Sequence, residues 1–422
     1  MSLVKLGLRN IFRFKKRTLI TLSSVSIGLA LLIIGITFMN GIDKQSLSNI
    51  INSQTSHLKI FRNGYYENKD EFPSDKIIGE CEQLIKKIRK LDSVSGAERR
   101  IMFPGSLIKG SDEFPCIGVG IEPEFDPFVF NIKESLIEGD WLGKDEYDIL
   151  IGKSLAGDLG LGVGDIVTAR VITSRVDNQF TWNAVDFEII GIFDTSNPNV
   201  NSGYVFLPLA SAQETMSLDS GVTEIVVRLN SDEEKKILEL KEIIQNEIKS
   251  SAYDYKVFSW DQLAGNFLAI SKMKTKNTSM LIMIMLFIAS MGIINTMLMA
   301  VHERTREIGM MMAMGMKKSE IKKVFLFEGG FIGVLGSLLG CIIGGLGSWY
   351  FEVYGMSMRS FGDTYTEIVA AIYPVKDTFY ADLTFEPLFY TFLLGTIISV
   401  VATYYPASKA AKMDPVEALR HF

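Results

Sequence analysis

Four stretches of this chain contain no Asp, Glu, Lys or Arg over a length that can cross a bilayer: Thr18 to Ile42, Asn277 to Val301, Gly329 to Phe351 and Pro387 to Ser408. A spanning helix needs about 20 apolar residues, and a helix satisfies every backbone amide within its own segment. This constraint predicts four membrane helices, at 18–40, 278–301, 329–351 and 387–406, and puts both termini on one side. The rest of the chain differs in character. With 47% hydrophobic residues and a mean hydropathy of +0.21, the 422 residues are more apolar than is usual for a soluble protein and less so than a bundle wholly in lipid. Residues 41–277 are therefore predicted to form an aqueous domain. The first span is expected to remain as an anchor, because its apolar core, Leu19 to Met39, exceeds the roughly 7–15 residues of a signal segment and no A-x-A-like site follows.

Basic residues set the orientation. Residues 1–17 hold Lys5, Arg9, Arg13, Lys15, Lys16 and Arg17 and no acid. The 302–328 loop holds six basic residues against Glu303, Glu307, Glu320 and Glu328, whereas the 352–386 loop has Arg359 and Lys376 against six acids. Both termini, the 302–328 loop and the 407–422 tail are therefore expected in the cytosol, with 41–277 and the short 352–386 loop outside. Residues 1–17 read as a basic amphipathic helix, with Lys5, Arg9, Arg13 and Lys16 opposite Val4, Leu8, Ile11 and Phe14, suited to the headgroup region of a phospholipid membrane. The formal net charge of −6 conceals a strongly acidic middle, which argues against a nucleic-acid partner.

Within the outer domain, His57 to Phe61 and Glu224 to Leu229 have strand character. Asp75 to Leu91 and Asp232 to Lys249 have helical apolar periodicity. The stretch 115–207 is β-rich, with strands predicted at Cys116 to Ile121, Ile149 to Ile151, Ile166 to Val171 and Thr181 to Phe193. Ile42, Leu47, Ile50 and Ile51 extend the first span, and Leu263, Phe267, Ile270 and Met273 lead into the second. The fold expected is a membrane α-helical protein of four transmembrane helices. Its large extracytoplasmic α+β domain, made from both ends of the insert around a β-rich subdomain, is carried on a two-helix stalk. Cys81 and Cys116 lack a framework spacing, so whether they pair stays open; Cys341 reads as a small packing residue.

Recognisable catalytic chemistry is absent. Gly152-Lys153-Ser154 copies the end of a phosphate-binding loop, but Tyr147 stands where its first glycine should be. His57, His302 and His421 are scattered, which argues against a metal site or a Ser/His/Asp triad. Glu328 is the acid nearest a span interior, either functional or facing headgroups. Two membrane patterns stand out instead. Gly329, Gly333, Gly336, Gly340 and Gly344 recur at helical spacing and predict close helix packing. Ile308 to Met316 is an apolar run too short to span, flanked by charges of both signs and tethered to membrane helices at each end. Such a segment suits a short helix docking into a groove on another protein, or an interfacial linker.

Val301 to Gly336, with its ERTREIG and MAMG motifs and glycine-studded helix, resembles the coupling segment of the ABC permease superfamily that includes MacB-type, FtsX-type and lipoprotein-releasing (Lol-type) transporters. Tyr404 to Arg420, YYPASKAAKMDPVEALR, resembles the same superfamily's tail. The resemblance implies a non-catalytic inner-membrane permease subunit that pairs with a second permease, identical or homologous. Arg304, Arg306, Glu307, Ile308, Gly309, Met312, Ala313, Gly315 and Met316 would seat in an ATPase dimer on a separate polypeptide, which binds ATP and Mg; the chain itself carries no cofactor. Lipoprotein release to a periplasmic carrier is the favoured function, driven by mechanical coupling. MacB-type efflux, or an FtsX-like scaffold that activates a cell-wall enzyme, are the alternatives. For an acylated lipoprotein substrate, Leu31, Ile34 and Phe38 on the first span and Met283, Phe287 and Met291 on the second are the expected cavity residues, since flexible thioethers adapt to varied chains.

Overall fold

The computed structural model describes residues 13, 15–71, 73, 76–79, 81–143, 147–176, 179–218, 220–230, 236–248, 254–357, 373–375 and 378–420. The expected amphipathic helix at 1–17 lies almost entirely outside them. The chain divides into two compact units, one formed by residues 1–44, 270–357 and 378–422, the other by 45–269 and 358–377.

The first unit holds most of the long helices Lys15–Ile50 and Gly265–Glu303 and all of Lys318–Tyr354 and Phe385–Ala411, each with a window apolar and long enough to cross a membrane. Its organising element is the third. A Cβ on Gly329 would lie 2.0 Å from Thr403 Oγ1, and one on Gly333 2.6 Å from Ser399 Cβ, both on the fourth helix. A Cβ on Gly336, Gly340 or Gly344 would instead meet Val25, Leu29 or Ala30 of the first helix within 3.0 Å. The glycine stripe therefore serves two neighbours in succession, and its absent side chains set both interhelical distances. Hydroxyls bridge the same seam: Ser26 donates to the Gly336 carbonyl at 3.0 Å, and the Thr37 and Ser348 hydroxyls lie 2.8 Å apart. The second helix is different. Only 12% of its most apolar window is buried, against 39% for the first and third helices. Its buried contacts, Ile293 and Met297, lie in the half nearer Glu303.

The second unit is built on one ten-stranded sheet: β1 (Leu58–Arg62), β2 (Val94–Lys109), β3 (Asp112–Ile121), β4 (Leu136–Gly139), β5 (Asp148–Gly152), β6 (Ile166–Val176), β7 (Gln179–Phe193), β8 (Tyr204–Pro208), β9 (Glu224–Leu229) and β10 (Tyr255–Ser259). Neighbours run β10-β1-β9-β2-β3-β8-β5-β7-β4, with β6 pairing β2 and β7. The two ends of the insert meet here, as Leu58 opposes both Val227 and Ser259. The 16-residue β2 was not expected from the sequence. Its first half pairs antiparallel with β9 and its second with β3 and β6, so one strand belongs to both subdomains.

Helices Glu82–Ile88 and Ile237–Ile248 contribute Ile85, Ile88, Leu240 and Ile244 to the core beneath this sheet. The helix expected from Asp75 to Leu91 is shorter than its periodicity implied. Ile78 instead forms an antiparallel bridge with Val222, donating and accepting a backbone hydrogen bond; Asp75 lies outside the described residues. Leu263 ends a separate turn, Trp260–Leu263, rather than opening the second long helix. Gly152 closes β5 against the Asn201 backbone and Lys153 pairs with Asp194 at 3.2 Å, an arrangement internal to the domain. All three cysteines are free thiols, and burial pushes that of Cys116 up to about 12.

Alternation along the strands places charge on one face of the sheet. Leu58, Ile60, Ala97, Ile101, Ile225 and Val227 point into the helix-covered core. The intervening Lys59, Glu98, Arg100 and Glu224 are also buried, but on the other face. Lys59 Nζ meets Glu224 Oε1 at 2.6 Å. Arg100 donates to both Glu98 and Asp126 and lies 3.8 Å from the centre of the Phe130 ring. One guanidinium thus faces two buried carboxylates, and Glu98 Oε2 and Asp126 Oδ2 are left without a hydrogen-bond partner among the described residues. Burial, aided by the Asp126 charge, pushes the Glu98 carboxyl well above the usual range of about 4.3.

A raised acid binds its proton more tightly when folded, so its contribution to stability is greatest at low pH and is lost as pH rises from about 4.3 through the raised value. Glu98→Gln keeps the shape and removes the proton requirement. It is expected to flatten that decline in thermal unfolding between mildly acidic and neutral pH. Arg100→Met strands two carboxylates and should cost about 3–5 kcal/mol. An unchanged pH profile in Glu98→Gln would show that Glu98 is ionised in the folded domain.

Candidate functional site

The second long helix ends at Glu303, and a short helix, Thr305–Ala313, follows after Arg304, whose φ of −108° breaks the helical run. Thr305 Oγ1 donates back to the His302 carbonyl at 2.8 Å. The short helix closes at Gly315, whose φ of +93° favours glycine. The third long helix then starts at Lys318, where Glu320 Oε2 accepts the Lys317 backbone N–H at 2.9 Å.

Arg304 fixes this corner. Its Nη1 donates to Glu328 Oε2 at 2.9 Å and its Nε to Glu307 Oε2 at 3.3 Å. Glu328 is wholly buried, and its role is to pair with Arg304 rather than to face headgroups. Removing one partner of so buried a pair is costly, because the other charge is left unpaired. Glu307 reaches outward as well, meeting Arg13 at 2.9 Å at the surface.

Beneath the short helix lies a small core of Val301, Ile308, Ile321, Phe325, Ala407 and Ala410, packed by Met311, Met312 and Met316. Gly309 is buried against the terminal helix Pro415–Arg420: its Cβ would stand 2.9 Å from Ala418 Cβ. Four of the residues expected to meet a partner, Ile308, Gly309, Met312 and Met316, are thus occupied within the chain, because the helix must first bury its own apolar stripe. Its open face is Arg306, Met310, Ala313 and Met314, with Gly315 beyond; Met310 is 44% exposed and Met314 80%. Met310 and Met314 were not singled out in the sequence. The i, i+4, i+8 series that starts at Arg306 was the signal available.

The six residues expected around an acyl chain do not form one surface. Ile34 packs towards Gly347 of the third helix, and Phe38 stacks edge-on to Phe351 at 5.9 Å, near Phe379. The glycine stripe draws that face of the first helix onto the third. Leu31, Met283, Phe287 and Met291 are exposed, the last three at 71%, 65% and 57%. Beyond the apolar spans, Asp43 accepts from Ser271 at 3.0 Å and pairs with Lys274, tying the first and second long helices together.

Comparison with known proteins supplies a family context. Residues 18–239 match the MacB-like periplasmic core domain and residues 279–415 the FtsX-like permease C-terminal domain. The chain is similar to the lipoprotein-releasing system transmembrane protein LolC of Xylella fastidiosa, with 25% identity over 75% of each chain. It is also similar to LolE of Haemophilus influenzae, at 22% over 94% of this chain and 92% of that one. The macrolide export ATP-binding/permease protein MacB of Acinetobacter baylyi is 25% identical over 96% of this chain but 57% of its own length. Among solved structures, the periplasmic region of MacB from Actinobacillus actinomycetemcomitans covers 52% of this chain and 96% of its own, at 15% identity and a TM-score of 0.35.

The seating of the short helix is testable without any partner. Gly309→Leu should drive the terminal helix off its seat at an overpacking cost of about 1–3 kcal/mol. Limited proteolysis should then cut more readily at Lys412. A cleavage rate equal to wild type would mean that Ala418 does not rest on Gly309.

Proposed function

The chain belongs to the MacB/FtsX family of ABC-transporter permeases, and on that premise we propose that it extracts lipoproteins from the membrane and hands them to a soluble carrier, powered by a partner ATPase. In this reading it is a membrane subunit that works with ATPase subunits on a separate polypeptide. The observation that carries the finer reading is the bare second helix. Met280, Met283, Phe287, Ile288 and Met291 leave an apolar face without a partner in the single chain. An acyl chain gains about 0.8 kcal/mol per buried CH₂, and thioethers adapt to chains of varied length. The likeness to LolC and LolE along most of both chains favours an acylated protein over a small solute.

In this reading a second permease subunit meets the first across the exposed first and second spans, and the lipoprotein enters there. Asp43, Ser271 and Lys274 keep the two helices in step as a stalk above the membrane. Arg306, Met310, Ala313 and Met314 seat in the ATPase, while Ile308, Gly309, Met312 and Met316 hold the seat in position. ATP-driven closure would then reach the outer domain through the helices, with both termini in the cytosol and the outer domain in the periplasm.

Photo-crosslinkers at Met283 and Phe287 should capture an acylated protein while ATP hydrolysis is blocked. Capture of a small hydrophobic solute, with no lipoprotein, would favour macrolide-type efflux. For coupling, Met310→Asp and Met314→Asp should each weaken co-purification of the ATPase about thirtyfold, the loss typical of an interface hot spot of about 2 kcal/mol, and leave membrane insertion intact. Wild-type transport in both variants would reduce the short helix to a linker.

A further inference from the structure

Within the first unit, a groove of about 530 Å³ runs between the third and fourth long helices. Leu326, Phe327, Phe331 and Val334 line one side, and Thr396 and Val400 the other. Its floor is open because Gly330 has no side chain; a Cβ there would meet only Val400, at 3.6 Å. The volume falls within the range of roughly 300–1,000 Å³ usual for ligand sites. The walls are almost wholly carbon, and Phe327, Val334 and Val400 remain accessible. The groove is not closed by either helix, so something of the same polarity must fill it.

One end of the groove is cationic. Lys323 lines it, and Lys322 stands beside it with its Nζ 3.6 Å from the centre of the Tyr404 ring, one turn beyond Val400. The nearby acids are engaged elsewhere, Glu320 with the Lys317 amide and Glu328 with Arg304. An apolar slot on a spanning helix, ending in two lysines at the membrane boundary, matches a lipid tail with a negative head. Basic pockets between membrane helices select anionic headgroups in this way.

We propose that this groove binds an anionic phospholipid, one acyl chain lying along Phe327, Phe331 and Val334 and the phosphate held by Lys322 and Lys323. Charge complementarity decides between this occupant and a second copy of the chain: the same surface on a second copy would set lysine against lysine. The groove shares no lining residue with the exposed face of the second helix or with that of the short helix, so it stands whichever substrate the transporter carries.

The test uses the full chain reconstituted in vesicles of equal parts phosphatidylglycerol and phosphatidylcholine, extracted gently and weighed by native mass spectrometry. Wild type should retain phosphatidylglycerol in preference to phosphatidylcholine. Each lysine near a membrane surface contributes about fivefold, so Lys322→Ala/Lys323→Ala should lower that preference about 25-fold. Val334→Trp, which fills the groove and leaves both lysines, should lower retention of both lipids. Thermal unfolding in phosphatidylcholine alone verifies that each variant is folded. No headgroup preference in the wild type, or full preference in the double variant, would overturn the proposal. So would full lipid retention in folded Val334→Trp, or a photo-crosslinker at Val334 that captures a second copy of the chain instead of lipid.

Discussion

In lipid, helices gain nothing by hiding hydrocarbon from hydrocarbon, so their association rests on how closely backbones approach. The third long helix meets this constraint with five glycines that face two neighbours in turn. Gly329 and Gly333 admit the fourth helix, and Gly336, Gly340 and Gly344 admit the first. The rest of the membrane unit follows from that division. Phe38 is drawn onto Phe351, Ser26 and Thr37 bond across the seam, and the second helix packs its buried apolar residues, Ile293 and Met297, in its Glu303 half, while Ser271 and Lys274 hold Asp43 at its other end. Its exposed methionines are the remainder of a packing scheme that spends its small residues elsewhere.

A second constraint acts where the chain leaves the membrane. Arg304 and Glu328 are both buried, so neither is tolerated without the other, and their pairing sets the angle at which Thr305–Ala313 departs. That angle, together with Ala418 resting on Gly309, decides which side of the short helix is free. Met310 and Met314 are available because Ile308 and Met312 are not.

What the sequence reveals depends on how local the cause is. The four spans are legible because a charge-free run of about 20 residues matches the thickness of a bilayer and little else. β5, β7 and β9 are legible because their apolar residues are continuous or alternate. β2 escapes notice since Glu98, Arg99 and Arg100 interrupt its apolar pattern; their burial is compensated by Asp126 and Glu122, remote in sequence. Ile78 fits a helical stripe as well as it fits a bridge to Val222, and only the tertiary partner decides. The short helix is apolar from Ile308 onward, so the one periodic sign of the face it presents is Arg306, which heads the series that continues through Met310 and Met314. Likewise the glycine stripe announced close packing but not that it would be shared between two helices.

β2 gives the outer domain a property beyond topology. Sixteen residues pass without a break from pairing with β9 to pairing with β3 and β6. Ladder hydrogen bonds lie across the strand axis, so tension along β2 loads its bonds to both halves in shear, many at once, whereas separating two merely docked sheets would peel one contact after another. The two subdomains consequently share a single tie-beam, and a pull on one half is borne by the other before either can slip.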